Sequence, residues 1–315
     1  MITRRDYLKL TAAAAAALMV NPGRILADDR PVPIITRSIP GTDEHLPVIG
    51  LGSSASFSRI AGEGKSETIR EILVSLVQHG GSVFDTAPSY GAAEEVAGRA
   101  AQDTGLAEKI FWATKLNVAG RSGGSADVAA ARAQIEQSFA RVGKPVIDLI
   151  QVHNLGDVPT QLDLLKEYRD AGRIRYVGVT TTFPRQYDEL EQLLKKQSLD
   201  FIGVDYAIDN RVMEERIFPL AQDRGVAVMV YQPFGRTRLW QRVDGHALPD
   251  WTAEYDISSW GQFFLKFALS HPAVTVVTPA TSRVGHLVDN LGAATGYVPD
   301  QDVRHRMIRH IDSLV

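Results

Sequence analysis

Eight short apolar runs, each leading into a stretch of helical period, constrain the fold of this 315-residue chain more than any other feature. The runs are residues 48–51, "SVFD", "IFWATK", "DLIQVH", "IRYVGV", "DFIGVD", "VAVMVY" and "VTVV". Helix-period segments lie between them, among them 65–79, 125–142, 160–171, 184–196 and 213–224. Near-continuous apolar strands imply burial on both faces, and helical crossovers imply parallel neighbours. Eight such units in about 250 residues predict an α/β fold of the (β/α)8 TIM-barrel class. A doubly wound open sheet is the alternative, but the G-x-G-x-x-G fingerprint that would open its first helix is missing. Ahead of the barrel, residues 34–51 read as a short β-hairpin, turning at "PGTDEH", that closes the barrel's bottom.

The first 27 residues stand apart from this pattern. "MITRRDYLKLTAAAAAALMV" places the pair Arg4 and Arg5 before an Ala-rich apolar stretch, which ends at the helix-breaking Asn21-Pro22-Gly23. That stretch is shorter than the ~20 residues of a membrane span, so it reads as a signal peptide. "TRRDYLK" resembles the bacterial twin-arginine export signal. The implied division is a signal at 1–27 and a barrel at 28–315, with the export machinery as a partner and the periplasm as destination. No stable membrane span is expected in the mature form. Cleavage after Ala27 is expected; Ile25 is larger than the usual small residue at that place, which leaves an uncleaved anchor as the alternative. The absence of cysteine suits an oxidising compartment and removes thiolate catalysis, disulfides and Cys-ligated zinc together. A net charge of -3 without a basic, aromatic-interleaved stretch excludes nucleic acid as a partner.

Three ionisable residues end successive strands: Asp85 in "SVFD", Lys115 in "IFWATK" and His153 in "DLIQVH". In a parallel barrel those ends share one rim, where catalytic loops sit. Asp is costly to bury without a partner, and Lys115 on the next strand supplies one. Tyr90, five positions after Asp85 in a Gly/Pro/Ser turn, can reach back over the same mouth. Singly, each residue has a packing explanation; together they suit proton donation to a carbonyl oxygen. A free phenol has a pKa of about 10, and a buried ammonium beside it stabilises the phenolate. Asp85 would hold the lysine charged, and His153 would orient the carbonyl.

These residues resemble the aldo/keto reductases over nearly the whole chain after the signal. "FDTAPSYGAAEEVAGRA" is similar to the family's "DTA..YG.E..G" signature, "ATK" to its lysine strand and "DLIQVHN" to its histidine strand. The resemblance implies Tyr90 as general acid, Lys115 and Asp85 as its tuning pair, His153 as substrate-orienting group, and an extended nicotinamide cofactor. "YVGVTTT" stands where the family has "GVSN", which gives Thr180 and Thr181 to the carboxamide. Gly203 stands where many members have a glutamine for the same group. "VYQPFG" implies Tyr231 as the aromatic stacked on the nicotinamide, with Gln232, Phe234 and Arg236 near the pyrophosphate. "TPATSRVGHLVDN" is similar to the adenosine-phosphate segment, implying Thr281, Ser282, Arg283, His286 and Asn290. Ala280 and His286 occupy places where lysine and arginine commonly clamp the 2′-phosphate, so two such cations are missing, but Arg283 can compensate by bidentate binding; NADP(H) is therefore the first choice and NAD(H) the second.

Phe57, Trp240 and Trp251, with Trp112 if it faces inward, are expected to shape the pocket for a small carbonyl or alcohol: an aldehyde, a ketone or a sugar. Two long loops, 119–125 and 232–255, are expected over the mouth. His305 and His310 read as a solvated C-terminal helix, and no histidine pair has metal-ligand spacing. The alternatives are a non-catalytic nucleotide-binding regulatory subunit, and a cofactor-independent lyase on the same fold.

Overall fold

The computed structural model describes residues 33–119 and 124–314. The segment read as an export signal lies outside the described residues, as does 120–123 within the first of the two expected loops.

Strand β1 (Thr36–Ser38) pairs antiparallel with β2 (His45–Pro47) as the expected hairpin. Eight parallel strands follow: β3 (Leu51–Gly52), β4 (Val83–Asp85), β5 (Phe111–Leu116), β6 (Ile147–His153), β7 (Ile174–Thr181), β8 (Phe201–Asp205), β9 (Ala227–Tyr231) and β10 (Val274–Val277). Each bonds to the next in chain order. The ring closes through bridges from Ile49 to Val277 and from Gly52 to Ala280. There the Gly50 amide donates to the Val277 carbonyl at 2.9 Å.

The helices are α1 (Ser56–Gly62), α2 (Ser66–Gln78), α3 (Ala93–Asp103), α4 (Val128–Val142), α5 (Val158–Asp170), α6 (Tyr187–Lys196), α7 (Ile217–Asp223), α8 (Arg238–Arg242), α9 (Trp260–Leu269), α10 (Val284–Gly292) and α11 (Gln301–Ser313). Helix α4 starts three residues later than its periodicity predicts because the Asp127 carboxylate caps it, accepting from the Ala130 amide at 2.7 Å. It stops at Gly143, whose φ of 73° suits glycine.

The apolar residues divide into two cores. One lies between strands and helices and contains Phe57, Phe84 and Trp112. The other fills the barrel: Val83, Phe111, Leu149, Phe201, Ala227, Met229 and Val276. Ile39 and Leu46 of the hairpin join this inner cluster, so the hairpin plugs the N-terminal end of the barrel. Strands buried on both faces are thereby accounted for, since each alternately feeds the inner and the outer core.

Gly98 fixes how α3 meets α4. A Cβ there would lie 2.0 Å from the Arg141 carbonyl oxygen, too close for any side chain. Glu94, one turn earlier and fully buried, accepts from the Thr114 hydroxyl at 2.7 Å and from Arg141 at 3.2 Å. A Gly98→Ala variant is expected to push the helices apart and lose about 1–3 kcal/mol of stability. Thermal unfolding should show it as a Tm roughly 3–10 °C lower.

Candidate active site

A cavity of about 620 Å³ opens at the C-terminal ends of the strands. Asp85, Tyr90, Lys115 and His153 all line it, so the four residues read from successive strand ends come together. The Lys115 ammonium donates to both Asp85 oxygens and to the Thr86 carbonyl, each at 2.8 Å. Burial alone would favour the neutral lysine, but the charge of Asp85 and the nearby Tyr90 outweigh it and raise its pKa. Burial pushes the Asp85 carboxyl up, and the ammonium opposes that shift. With three acceptors around Nζ, we take the lysine to be charged. The Lys115 nitrogen lies 5.2 Å from the centre of the Tyr90 ring, and the His153 ring stands edge-on to that ring at 6.0 Å.

Tyr231 ends β9 and turns into the barrel. Its hydroxyl donates to Asp85 Oδ1 at 3.1 Å and accepts from Gln151 Nε2 at 3.0 Å. The Lys115 nitrogen is 5.1 Å from its ring centre, so the ammonium sits between two tyrosines. Burial first, and then the charge of Asp85, raise the Tyr231 pKa well above the ordinary phenol value.

Of the residues assigned by resemblance to a cofactor, Thr180, Tyr231, Gln232, Phe234 and Arg236 line the cavity. Thr181 does not, which corrects its assignment to the carboxamide. It is fully buried, its hydroxyl donates to Gln186 Oε1 at 2.6 Å, and it accepts from the Phe183 amide at 3.1 Å. Strand alternation is the reason: Thr180 and Thr182 face the cavity while Thr181 points away. Thr281, Ser282, Arg283, His286 and Asn290 lie beyond the cavity lining, at the turn after β10 and along α10. Thr281 spends its hydroxyl on the Arg283 amide at 3.2 Å, and Asn290 is buried, while Arg283 and His286 are exposed. Thr278 and Ala280, just upstream, do line the cavity, so this segment continues from its wall.

The substrate-pocket expectations divide. Trp240 lines the cavity, 42% exposed, resting on Phe234 at 5.0 Å. Phe57 is a correction: it is fully buried in the outer core against Phe84 at 5.4 Å, as is Trp112 at 5.1 Å. Trp251 is another, because it packs on Phe263 and His310 with the Arg306 guanidinium 4.2 Å from its ring. Only the first part of the 232–255 loop therefore forms the mouth. His310 is not solvated as expected; its ring stacks on Trp260 at 6.0 Å and 14°. His305 is exposed, as expected.

Sequence reasoning missed Ser54, Asn154, Thr182, Phe183 and Thr278 in the lining. Asn154 directly follows His153, and its place at a strand end was the available signal. Backbone strain is a second marker. Ala55, Asn154, Gln232 and Arg236 all line the cavity with φ between 51° and 62°, a region that non-glycine residues enter at a cost.

Residues 48–309 match the sequence profile of the Aldo/keto reductase family. The chain belongs to that family. Aldo-keto reductase YhdN of Bacillus subtilis is 30% identical to it over 202 residues, 62% of this chain and 60% of the relative. The aligned part thus spans less than two thirds of that curated relative's length. An aldo/keto reductase from Klebsiella pneumoniae, solved with NADP and acetate, superposes with a TM-score of 0.73 at 24% identity, over 88% of this chain and 96% of that one. The holo form of a Bacillus halodurans aldo-keto reductase gives 0.69 at 22%, over 89% and 96%. In this aldo/keto reductase the signature stretch has two jobs. Asp85 and Tyr90 face the cavity, while Glu94 and Gly98 lock α3 against α4 and so hold the loop that carries Tyr90.

Among the described residues no cluster of three or more His, Asp or Glu could hold a metal, and no helix is long and apolar enough to cross a membrane.

Proposed function

We propose that this chain is an NADP(H)-dependent oxidoreductase that interconverts a carbonyl compound and its alcohol, with Tyr90 as general acid in reduction and general base in oxidation. The observation that carries the reading is the meeting of Asp85, Lys115, Tyr90 and His153 at one cavity, with the ammonium bound to the carboxylate and facing the Tyr90 ring.

The residues present fit a nicotinamide nucleotide. The cavity size is ordinary for a small-molecule site. Its wall offers the Tyr231 ring, hydroxyl and amide groups from Thr180, Thr182 and Asn154, and the Arg236 cation at its edge. Exposed Arg283 and His286 follow along the chain for a phosphate. Structural relatives support the same reading, since one aldo/keto reductase structure from Klebsiella pneumoniae holds NADP and acetate and another from that organism holds NADPH. A nicotinamide held there would supply the hydride that reduces the carbonyl carbon, or accept the one that leaves the alcohol carbon. Tyr90 gives its proton to the carbonyl oxygen, and Lys115 stabilises the phenolate left behind. His153 aligns that oxygen. Nothing at this site favours the regulatory subunit or the lyase, and the matching proteins named above are reductases.

Export to the periplasm belongs to the same proposal and rests on Arg4, Arg5 and the Ala-rich run after them. The twin-arginine route carries folded proteins, so an enzyme loaded with nucleotide in the cytoplasm can keep it and recycle it between an alcohol and a carbonyl. One experiment addresses both parts. Wild-type protein and an Arg4→Lys/Arg5→Lys variant are fractionated, and the mature protein is analysed for bound nucleotide and titrated with NADPH and NADH. Nucleotide-bearing wild type in the periplasm, the variant retained inside, and preference for NADPH are expected. Protein that binds neither nucleotide sinks the reductase reading; equal export of the variant sinks the export reading.

A further inference from the structure

We propose that Tyr231 is a positioning residue for the Asp85–Lys115 pair, holding the carboxylate through its hydroxyl, and that Gly203 is small in order to admit its ring. The inference rests on the reading of Tyr90 as the proton donor, and it gives Tyr231 a task beyond offering a ring face to a cofactor.

Three observations carry it. First, the Tyr231 hydroxyl is fully committed within the protein, donating to Asp85 Oδ1 and accepting from Gln151. Asp85 Oδ1 is therefore held from two sides, by Lys115 at 2.8 Å and Tyr231 at 3.1 Å. Second, Gln151 is fully buried, and its Oε1 has no hydrogen-bond partner among the described residues. An unmet acceptor in the barrel is unfavourable, so packing does not explain a glutamine here, whereas the support of Tyr231 does. Third, a Cβ on Gly203 would lie 2.4 Å from Tyr231 Cε2 and 2.7 Å from its hydroxyl. Any side chain on β8 at that place would evict the phenol from Asp85.

Lys115 on β5 and Tyr231 on β9 bond this carboxylate, and the other titratable groups lining the same cavity are Tyr90, His153 on β6 and Arg236. Two of the tyrosines flank one ammonium, yet their environments differ. Tyr231 is buried against an anion and stays protonated, a fixed donor. Tyr90, beside the cation at the open side, is left as the residue that can give up its proton.

The hydrogen bond from Tyr231 favours the ionised Asp85 carboxylate. Burial raises the Asp85 pKa overall and the Tyr231 bond acts against that rise, so the stability this bond itself contributes is present above the carboxyl's pKa and is lost as pH falls through it. The Tyr231→Phe variant keeps the ring and removes the hydroxyl, which is both the donor to Asp85 and the acceptor for Gln151 Nε2. Its nucleotide affinity should stay within about twofold, while kcat falls about tenfold and the acid limb of its pH profile moves up by about one unit. Gly203→Ala should reproduce the fall in kcat with the phenol intact, and the double variant should be no worse than either single one. Thermal melts read the same bond without activity: the Tm gap between wild type and Tyr231→Phe should be widest at pH 7 and narrow as Asp85 protonates, down to the pH-independent part that comes from the lost Gln151 bond. If the wild type reduces no carbonyl, the reductase reading fails and the melts alone decide this one. A Tyr231→Phe protein with wild-type kcat and pH profile, or with a Tm gap independent of pH, overturns the proposal.

Discussion

A Tyr90→Phe variant is expected to lose carbonyl reduction by about 10²–10⁴-fold, the range for removing a positioned general acid, with nucleotide affinity near that of the wild type. The phenol oxygen goes while the ring remains at the cavity wall, half-buried and edge-on to His153. Steady-state rates with a panel of aldehydes and ketones, set beside a fluorescence titration with NADPH, separate the two effects. A variant that still reduces its best substrate within a few-fold of wild type would remove Tyr90 from the proton transfer.

Lys115→Met should have the largest effect on the protein itself. The Lys115 and Asp85 side chains are 1% and 4% exposed, so removing the cation strands a buried carboxylate. Breaking a buried pair from one side costs about 3–5 kcal/mol, and activity should fall with it because the phenolate loses its stabilising charge. Adding Asp85→Asn to Lys115→Met removes the stranded charge and should restore much of the stability, measured by denaturant unfolding, without restoring the rate. A double variant as unstable as Lys115→Met alone would mean that the destabilisation is one of packing.

These two predictions rest on residues that were legible in the sequence, and there is a physical reason for that. Burying Asp85 or Lys115 inside an apolar run is unfavourable alone, so finding them on neighbouring strand ends implies that they meet. The barrel was legible for a similar reason: strands covered on both sides have a composition that periodicity detects. What escaped was set by neighbours distant in sequence. Thr182 and not Thr181 reaches the cavity because the strand runs two residues past its expected end at Val179 and its alternation continues with it. Phe57 and Trp251 are large and apolar, and nothing local distinguishes a ring that lines a cavity from one that fills a core. The inward turn of Tyr231 depends on an empty place at Gly203 on the adjoining strand, which no pattern along either segment records.

The hairpin plug has a consequence for traffic. With Ile39, Leu46, Phe111 and Phe201 filling the far end of the barrel, that end is closed to anything bound at the C-terminal ends of the strands. Whatever binds against Lys115 and Tyr231 must therefore come and go by the side on which Tyr90 and Trp240 stand, so those two side chains are at the only door the plug leaves among the described residues.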